Sequence, residues 1–424
     1  MRKASDLVTV SLCTPVILKG DLLTSLQTPS LQIFGSPPVS MRTAHVITRL
    51  IIGGAQENTL FNVDDQHHLF NDQVCLITGP GAGPEGSLER QARQRGLNLI
   101  VLPELIRSLN PLQDFLALRA IRRTLAQFQP QIVHTHSSKA GILGRLAAHQ
   151  LRIPAVHTIH GAAFHFGQPA PLHFAYRQAE KLAARWCSHF ISVCDAMTRQ
   201  YVQAGIAPVE KFTTIYSGMD VDRFLQPAVP RHEIRKRLNL QEDDIVFGKV
   251  GRLFNLKGHN YLIESAAAVA AAIPHARFLL VGDGSLRQTY QNRIQQLGLT
   301  DRFVFTGLVP PEQVPEFIHA MDIVVHTSDW EGLPRVVPQG LLAGKPVVAF
   351  DIDGTPEVCI EGVTGCLVPH RNTSLLASAM IRLGRDSELR TALGNRGREL
   401  FTQQFRHEYM TARIREVYQM ILNR

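Results

Sequence analysis

Two doubly wound α/β units, each a parallel sheet covered by helices on both faces, are what this sequence predicts. Three observations carry the prediction. The first is length: 424 residues exceed one ordinary domain, and at roughly 100–200 residues per domain two or three are expected. The second is alternation. Short β-branched and apolar runs, apolar throughout rather than at every second residue, are separated by amphipathic stretches, as in strands buried on both faces by crossover helices. The third is a restart: the alternation breaks at charge-dense Arg231–Asp244, preceded by Pro227 and Pro230, and then begins again.

Taken in order, Met1 to Ser40 stand apart. Arg2 and Lys3 precede an apolar run, Leu7 to Leu18, broken by Ser11, Thr14 and Pro15. Asp6 interrupts its start and no clean small-x-small site follows, so it does not read as a signal peptide. The loop-like tail (Thr28, Pro29, Ser30, Gly35, Ser36, Pro37, Pro38) suggests a poorly ordered extension or an upstream start, with the fold beginning at Met41. Strands are then expected at 44–48, 74–78, 97–102, 131–134, 155–159, 190–193 and 212–216, with helices at 112–127 and 139–151. Residues 231–244 read as a linker. The second series places strands at 245–250, 276–281, 303–305, 323–326 and 346–349, and three helical patterns follow Arg371. The longest uncharged stretch of the body, 153–176, carries His157, His160, His165, His173 and three prolines, which a lipid-facing helix tolerates poorly.

Composition narrows the class. With 45% hydrophobic and 19% charged residues, the chain is neither disordered nor collagen-like. A net charge of +8 favours an anionic partner: nucleic acid, acidic lipid or a phosphorylated substrate. Cys13, Cys75, Cys187, Cys194, Cys359 and Cys366 form no C-x-x-C pair and read as reduced core residues of a cytosolic protein.

Five motifs sit at strand ends. Gly81 to Gly86 spells G-x-G-x-x-G, with Glu104 downstream, but Pro84 removes an amide where a pyrophosphate needs one and the pattern follows the second strand, so a loop is the better reading. Gly53-Gly54 precedes a helix opening Ala55-Gln56-Glu57, leaving free amides and close access for a ligand, or a simple tight turn. His134-Thr135-His136-Ser137-Ser138-Lys139 runs from a strand into a helix. His134 and His136 share a strand face, so a metal has to be weighed, with His157, His160 and His165 downstream. No carboxylate ligand is obvious, and Ser137, Ser138 and Lys139 at a helix start suit an anion instead. Arg252 and Lys257 flank a loop after a strand, where two cations can clamp a diphosphate or be merely solvated. Glu331-Gly332-Leu333-Pro334-Arg335 opens a helix that starts no earlier than Pro334, since Pro338 is awkward deeper in. There glycine gives access, amides suit phosphate, and the carboxylate suits sugar hydroxyls.

In this order and spacing the chain resembles the retaining GT-B glycosyltransferases of family 4, in particular bacterial enzymes of capsular and exopolysaccharide assembly. The resemblance runs from about Met41 to the end. It rests on 51–57, 133–146, His157-Thr158-Ile159-His160-Gly161, Gly251–Gly258, Val281-Gly282-Asp283-Gly284, and the Glu331 segment followed by Gly354-Thr355-Pro356-Glu357. It implies two Rossmann-like domains facing across a cleft: an acceptor-side domain over 41–223, a nucleotide-sugar domain over 224–400, and a C-terminal helix, 401–424, crossing back.

It further implies donor contacts from Gly53, Gly54, Arg252, Lys257, Glu331, Gly332, Leu333, Pro334 and Gln339, the last replacing a ribose-binding glutamate. His160, Glu331, Arg252 and Lys257 would be catalytic, and His136, Ser138 and Lys139 would lie on the acceptor side. No cofactor and no metal are implied. The partners would be a nucleotide-sugar, with UDP preferred on family prevalence, and a glycan or polyprenyl-diphosphate-linked acceptor, but not nucleic acid.

Residues 41–220 carry 17 basic and 12 acidic side chains. Arg90, Arg93, Arg95, Arg107, Arg119, Arg122 and Arg123 among them suggest a cytoplasmic protein touching the anionic inner face of the plasma membrane. The rival readings are a metal-dependent hydrolase using His134, His136 and His160, a nicotinamide oxidoreductase at Gly81–Gly86, a sugar-nucleotide epimerase, and a non-catalytic binding module.

Overall fold

A computed structural model of the chain describes residues 39–81, 86–164 and 167–423. Nearly all of the expected N-terminal extension, the middle of the Gly81–Gly86 loop, and His165 therefore lie outside the described residues. Two all-parallel sheets form. The first has seven strands in the order β3-β2-β1-β4-β5-β6-β7, and the second six in the order β10-β9-β8-β11-β12-β13. The first contains β1 (Arg42–Arg49), β2 (Gln73–Gly79), β3 (Asn98–Val101), β4 (Ile132–His136), β5 (Ala155–Ile159), β6 (His189–Ser192) and β7 (Phe212–Thr214). The second contains β8 (Ile245–Val250), β9 (Ala276–Val281), β10 (Phe303–Gly307), β11 (Ile323–His326), β12 (Val347–Phe350) and β13 (Gly365–Val368).

The twelve apolar runs are all strands. β13 is the addition: four residues beginning at a glycine give little pattern to read, and its place at the sheet edge comes from pairing with β12. Because helices cover both faces, core residues alternate between two layers within one strand. Phe278 and Leu280 of β9 join one apolar cluster, while Leu279 and Val281 join another. The five described cysteines are buried and unpaired by disulfides.

The segment 231–244 is not a linker. It holds a helix, Arg231–Arg237, and Arg235 is fully buried. Its guanidinium pairs with Asp322 at 2.7 Å and donates to the carbonyls of Ala320, Gln241 and Glu242. Its charge density reflects ion pairing inside the second sheet unit rather than solvation.

The C-terminal helix, His407–Leu422, packs on the helix Gly54–His68 and puts Met410, Ile414, Val417 and Tyr418 against Ile132, Val156 and Ile191 of the first sheet. One buried ion pair anchors it. Arg415 donates from Nε and Nη2 to the Asp72 carboxylate at 2.8 and 2.9 Å, and the Met41 amide donates to the same carboxylate. Removing one partner strands the other charge in the core, so Asp72→Ala should lower stability by about 3–5 kcal/mol. Asp72→Ala combined with Arg415→Met should recover a large part of that loss. Urea unfolding of the three proteins checks both.

Candidate active site

In each sheet the strand order reverses once, at β1/β4 and at β8/β11. Crossover helices leave such a pair toward opposite faces, which opens a crevice at the carboxyl ends of the strands. Gly53-Gly54 follows β1, His136 ends β4, the loop 251–258 follows β8, and 327–331 follows β11. A cavity of about 280 Å³ is lined from both sides by Gly54, His160, Lys257, Glu331, Gly332, Leu333, Pro334 and Arg335, among others.

Lys257 and Glu331 meet in it at 2.6 Å. Burial alone would raise the Glu331 carboxyl, but the Lys257 ammonium and His326 outweigh burial and hold it below the usual range. The Glu331 amide donates to Asp353 Oδ2 at 2.8 Å, which fixes where that carboxylate is presented. A side chain at Gly332 would come within 3.0 Å of the His160 carbonyl, so glycine lets the two walls approach.

Arg335, which the sequence left without a role, spans the cavity. Its Nη1 donates to the Gly54 carbonyl at 3.0 Å and lies 3.0 Å from the Glu57 carboxylate. Burial, and secondarily this guanidinium, lowers His160 to about 3. At neutral pH His160 is therefore an uncharged ring.

Behind His160 runs a buried chain of hydrogen bonds. Gln66 accepts from Thr43 Oγ1 and places its amide nitrogen 3.1 Å from His45 Nε2. His45 Nδ1 lies 3.1 Å from His136 Nε2, and His136 Nδ1 lies 3.1 Å from His160 Nε2. With the Gln66 amide as donor, each neutral ring accepts at Nε2 and donates from Nδ1. His160 thus carries its proton on Nδ1. His136, expected to face the acceptor, is instead fully buried between His45 and His160.

The other expected acceptor-side groups, Ser138 and Lys139, do not line the cavity. Lys139 pairs with Asp114 at 2.5 Å. The amide of Ala140, in the first turn of the Ser138–Gln150 helix, donates to Thr48 Oγ1, and the Ser137 hydroxyl contacts the same oxygen. Ser138 is half-buried and does not line the cavity. Those strand-end hydroxyls tie the helix to β1 rather than await an anion.

Arg252 is exposed, its guanidinium 5.3 Å from the Phe254 ring centroid, on the same loop as Lys257. Gln339 is half-buried one turn beyond Arg335. Gly53 has extended backbone and caps the Gly54–His68 helix. At the glycine-rich loop, the Gly81 amide already donates to Glu89 at 2.6 Å, a position a cofactor phosphate would need.

One ring nitrogen from each of His45, His134 and His136 lies within 4.8 Å of the others, as a metal would require. All six ring nitrogens of the three are already partnered: those of His134 contact Tyr418 Oη and Thr158 Oγ1, and the rest belong to the chain above and its Gln66 end.

The family model described as Glycosyl transferases group 1 matches residues 230–400, and the one described as Glycosyltransferase Family 4 matches residues 68–223. An alpha-D-kanosaminyltransferase of Streptomyces kanamyceticus is 30% identical over 61% of this chain and 69% of its own. The chain belongs to the family 4, group 1 glycosyltransferases. This glycosyltransferase is also 27% identical to the UDP-Gal:alpha-D-GlcNAc-diphosphoundecaprenol alpha-1,3-galactosyltransferase of Escherichia coli, over 82% of this chain and 89% of the relative. The crystal structure of Anabaena HepE in complex with UDP matches with a TM-score of 0.75 at 23% identity, covering 90% of this chain and 100% of that one. The two facing sheets are therefore the GT-B fold.

The histidine chain makes stability depend on pH. His45 is lowered by burial from 6.5 to about 4. Between those values the unfolded ring binds a proton that the folded ring does not, so acid favours unfolding. Melting temperature should fall as pH drops from 6.5 to 4, and His45→Leu should flatten that slope.

Proposed function

We propose that the enzyme transfers a hexosyl group, with retention, from a UDP-sugar to a hydroxyl of a lipid-linked or growing glycan in cell-surface polysaccharide assembly. The observation that carries this reading is the cavity between the two switch points, where one cation, one carboxylate and one neutral histidine converge from both sheets. The Escherichia coli relative's name specifies a UDP-sugar donor and a diphosphoundecaprenol-linked acceptor, and the Anabaena structure holds UDP; both support the choice of donor.

In this mechanism Lys257 leaves Glu331 for the donor diphosphate, and Arg252 turns from Phe254 to join it. Their charge stabilises the departing nucleotide as the anomeric bond breaks. Glu331, freed and kept ionised, accepts hydrogen bonds from hydroxyls of the transferred sugar. His160 Nδ1–H donates to that sugar from the opposite wall. The acceptor hydroxyl attacks on the face the phosphate leaves, passing its proton to that phosphate, which gives retention. Gln339 binds the ribose. No resident metal takes part. The engaged ring nitrogens of the buried histidines support that view and weigh against the hydrolase reading, and the Lys257–Glu331 arrangement favours transfer over epimerisation.

Among the described residues no helix is long and apolar enough to cross a membrane. A peripheral contact is proposed through the helix Pro111–Phe128. Phe115 is 54% and Leu112 67% exposed, as is Leu109 just before the helix at 76%. Arg107, Arg119, Arg122 and Arg123 are exposed on the same segment. Apolar side chains beside arginines suit the headgroup boundary of an anionic inner leaflet.

Lys257→Ala with Arg252→Ala should lower kcat/KM by about 10²–10³-fold in a donor-consumption assay; transfer near the wild-type rate would refute the diphosphate assignment. Leu112→Ser with Phe115→Ser should abolish sedimentation with phosphatidylglycerol vesicles while leaving transfer to a water-soluble acceptor unchanged. Undiminished sedimentation would refute this membrane face.

A further inference from the structure

The mechanism above leaves unused a group of polar side chains on the floor of the same cavity. Lys249 belongs to β8, where its neighbours Phe247 and Val246 are core residues, yet it carries an ammonium and is only 2% exposed. His259, fully buried, opens the helix His259–Ala272, and neither of its ring nitrogens has a hydrogen-bond partner. His326 ends β11 with no hydrogen bond at its Nε2, which lies 3.8 Å from a Glu331 carboxylate oxygen, and the Ser328 hydroxyl turns to the same carboxylate; both residues are at least 96% buried. All four side chains line the cavity. Buried polar groups without partners are costly, and a cluster of them facing one space marks a place that a ligand completes.

The character of the missing ligand follows from the chemistry. Lys249 offers an ammonium, each neutral imidazole an N–H, and Ser328 a hydroxyl. The Glu331 carboxylate nearby already pairs with Lys257. The amino end of a helix, with its positive dipole, adds to the same side. Charge-assisted hydrogen bonds to an oxyanion use all of these groups at once.

We propose that Lys249, His259, His326 and Ser328 form an oxyanion subsite in the floor of the donor cavity, taking a negatively charged oxygen group of the donor. That group is either a non-bridging oxygen of the diphosphate or the carboxylate of an acidic sugar. The subsite rests on the donor reading given above. Burial, and then the repulsion of Lys257, lowers the Lys249 ammonium to about 7, against the opposing pull of Glu331 and Asp329. His259 and His326, lowered by burial first and then by Lys249, stay neutral beside it. An arriving anion raises the Lys249 pKa, so binding takes up a proton and weakens as pH rises above 7.

Calorimetric titration of the full chain with UDP, UDP-glucose and UDP-glucuronate tests the subsite, in wild type, Lys249→Met and His326→Gln. If the diphosphate fills it, Lys249→Met weakens all three probes by about 10- to 100-fold and removes the proton uptake seen between buffers of different ionisation enthalpy. If a sugar carboxylate fills it, only UDP-glucuronate loses affinity. Without ligand, Lys249→Met should melt no lower than wild type, because an ammonium that burial disfavours gives way to an apolar side chain of similar length; His326→Gln gives the same discrimination if Lys249→Met does not fold. Tight binding of the probes to wild type, unchanged in both variants, overturns the subsite and leaves the donor reading standing. Failure of every probe to bind wild type overturns the donor reading and the subsite with it.

Discussion

Glu357 sits after β12 in the second sheet unit, and both of its carboxylate oxygens lie on the first turn of a helix belonging to the first: the amides of Asp195 and Ala196, at 2.9 and 2.8 Å. Those amides have no partner within their own helix, and a carboxylate is the group best suited to that end. Arg335 makes the reciprocal reach, from the second unit to the Gly54 carbonyl and Glu57. A cavity built from two sheets has no shape until the sheets are held, and these side chains hold it at two points. The His160 ring and the Glu331 carboxylate come from different sheets. Their usefulness to one ligand depends on this clasp more than on either sheet alone.

The fold was legible because parallel strands buried on both faces leave a strong, local signal: apolar throughout, short, and evenly spaced. The lining of the cavity was legible where a glycine or a charge stands at a strand end, as at Gly54, Lys257 and Glu331. It was not legible where partners come from distant parts of the chain. Nothing local in Arg335 tells that it grips Gly54, 281 residues away. Lys139 looked free because Asp114 lies on a neighbouring helix. Arg231 to Asp244 read as a linker because Asp322, which Arg235 meets, is far along the sequence. One signal was present and unused. His45 in β1 and Lys249 in β8 interrupt strands that are otherwise core, and a polar residue in such a place requires a partner or a function.

That rule explains why the first sheet tolerates so many imidazoles. His45, His134 and His136 are fully buried, and each ring nitrogen has a partner. Burial then keeps them neutral: it is the largest cause of the lowered pKa in each, ahead of mutual repulsion in His134 and His136. A neutral chain has a direction, since a ring that accepts at one nitrogen must donate from the other. The direction is set at the far end by Gln66, from the helix Gly54–His68. The C-terminal helix packs against the same rings through Tyr418, 2.5 Å from His134, whose ring centroid lies 4.3 Å from that of His136. The last helix of the chain therefore supports the first sheet's core and, through it, the orientation of the ring at the cavity wall.

The floor of the opposite wall follows the reverse logic. Where the histidines of the first sheet complete one another, His259 and His326 leave ring nitrogens without hydrogen bonds beside the equally buried Lys249. Packing pressure alone would have replaced them with apolar side chains, because a well-packed hydrophobic substitute for a buried charge is commonly neutral or stabilising. On the proposed subsite, what enters the cavity accounts for these side chains where folding alone does not. The Lys257–Glu331 pair above them adds a coupling. While the two are joined at 2.6 Å, neither is available to a donor; an anion that draws Lys257 away releases Glu331 in the same step. On the proposed function, recognition of the phosphates and recognition of the sugar are then one event, and a ligand bearing only one of the two parts leaves either a cation or a carboxylate without its partner.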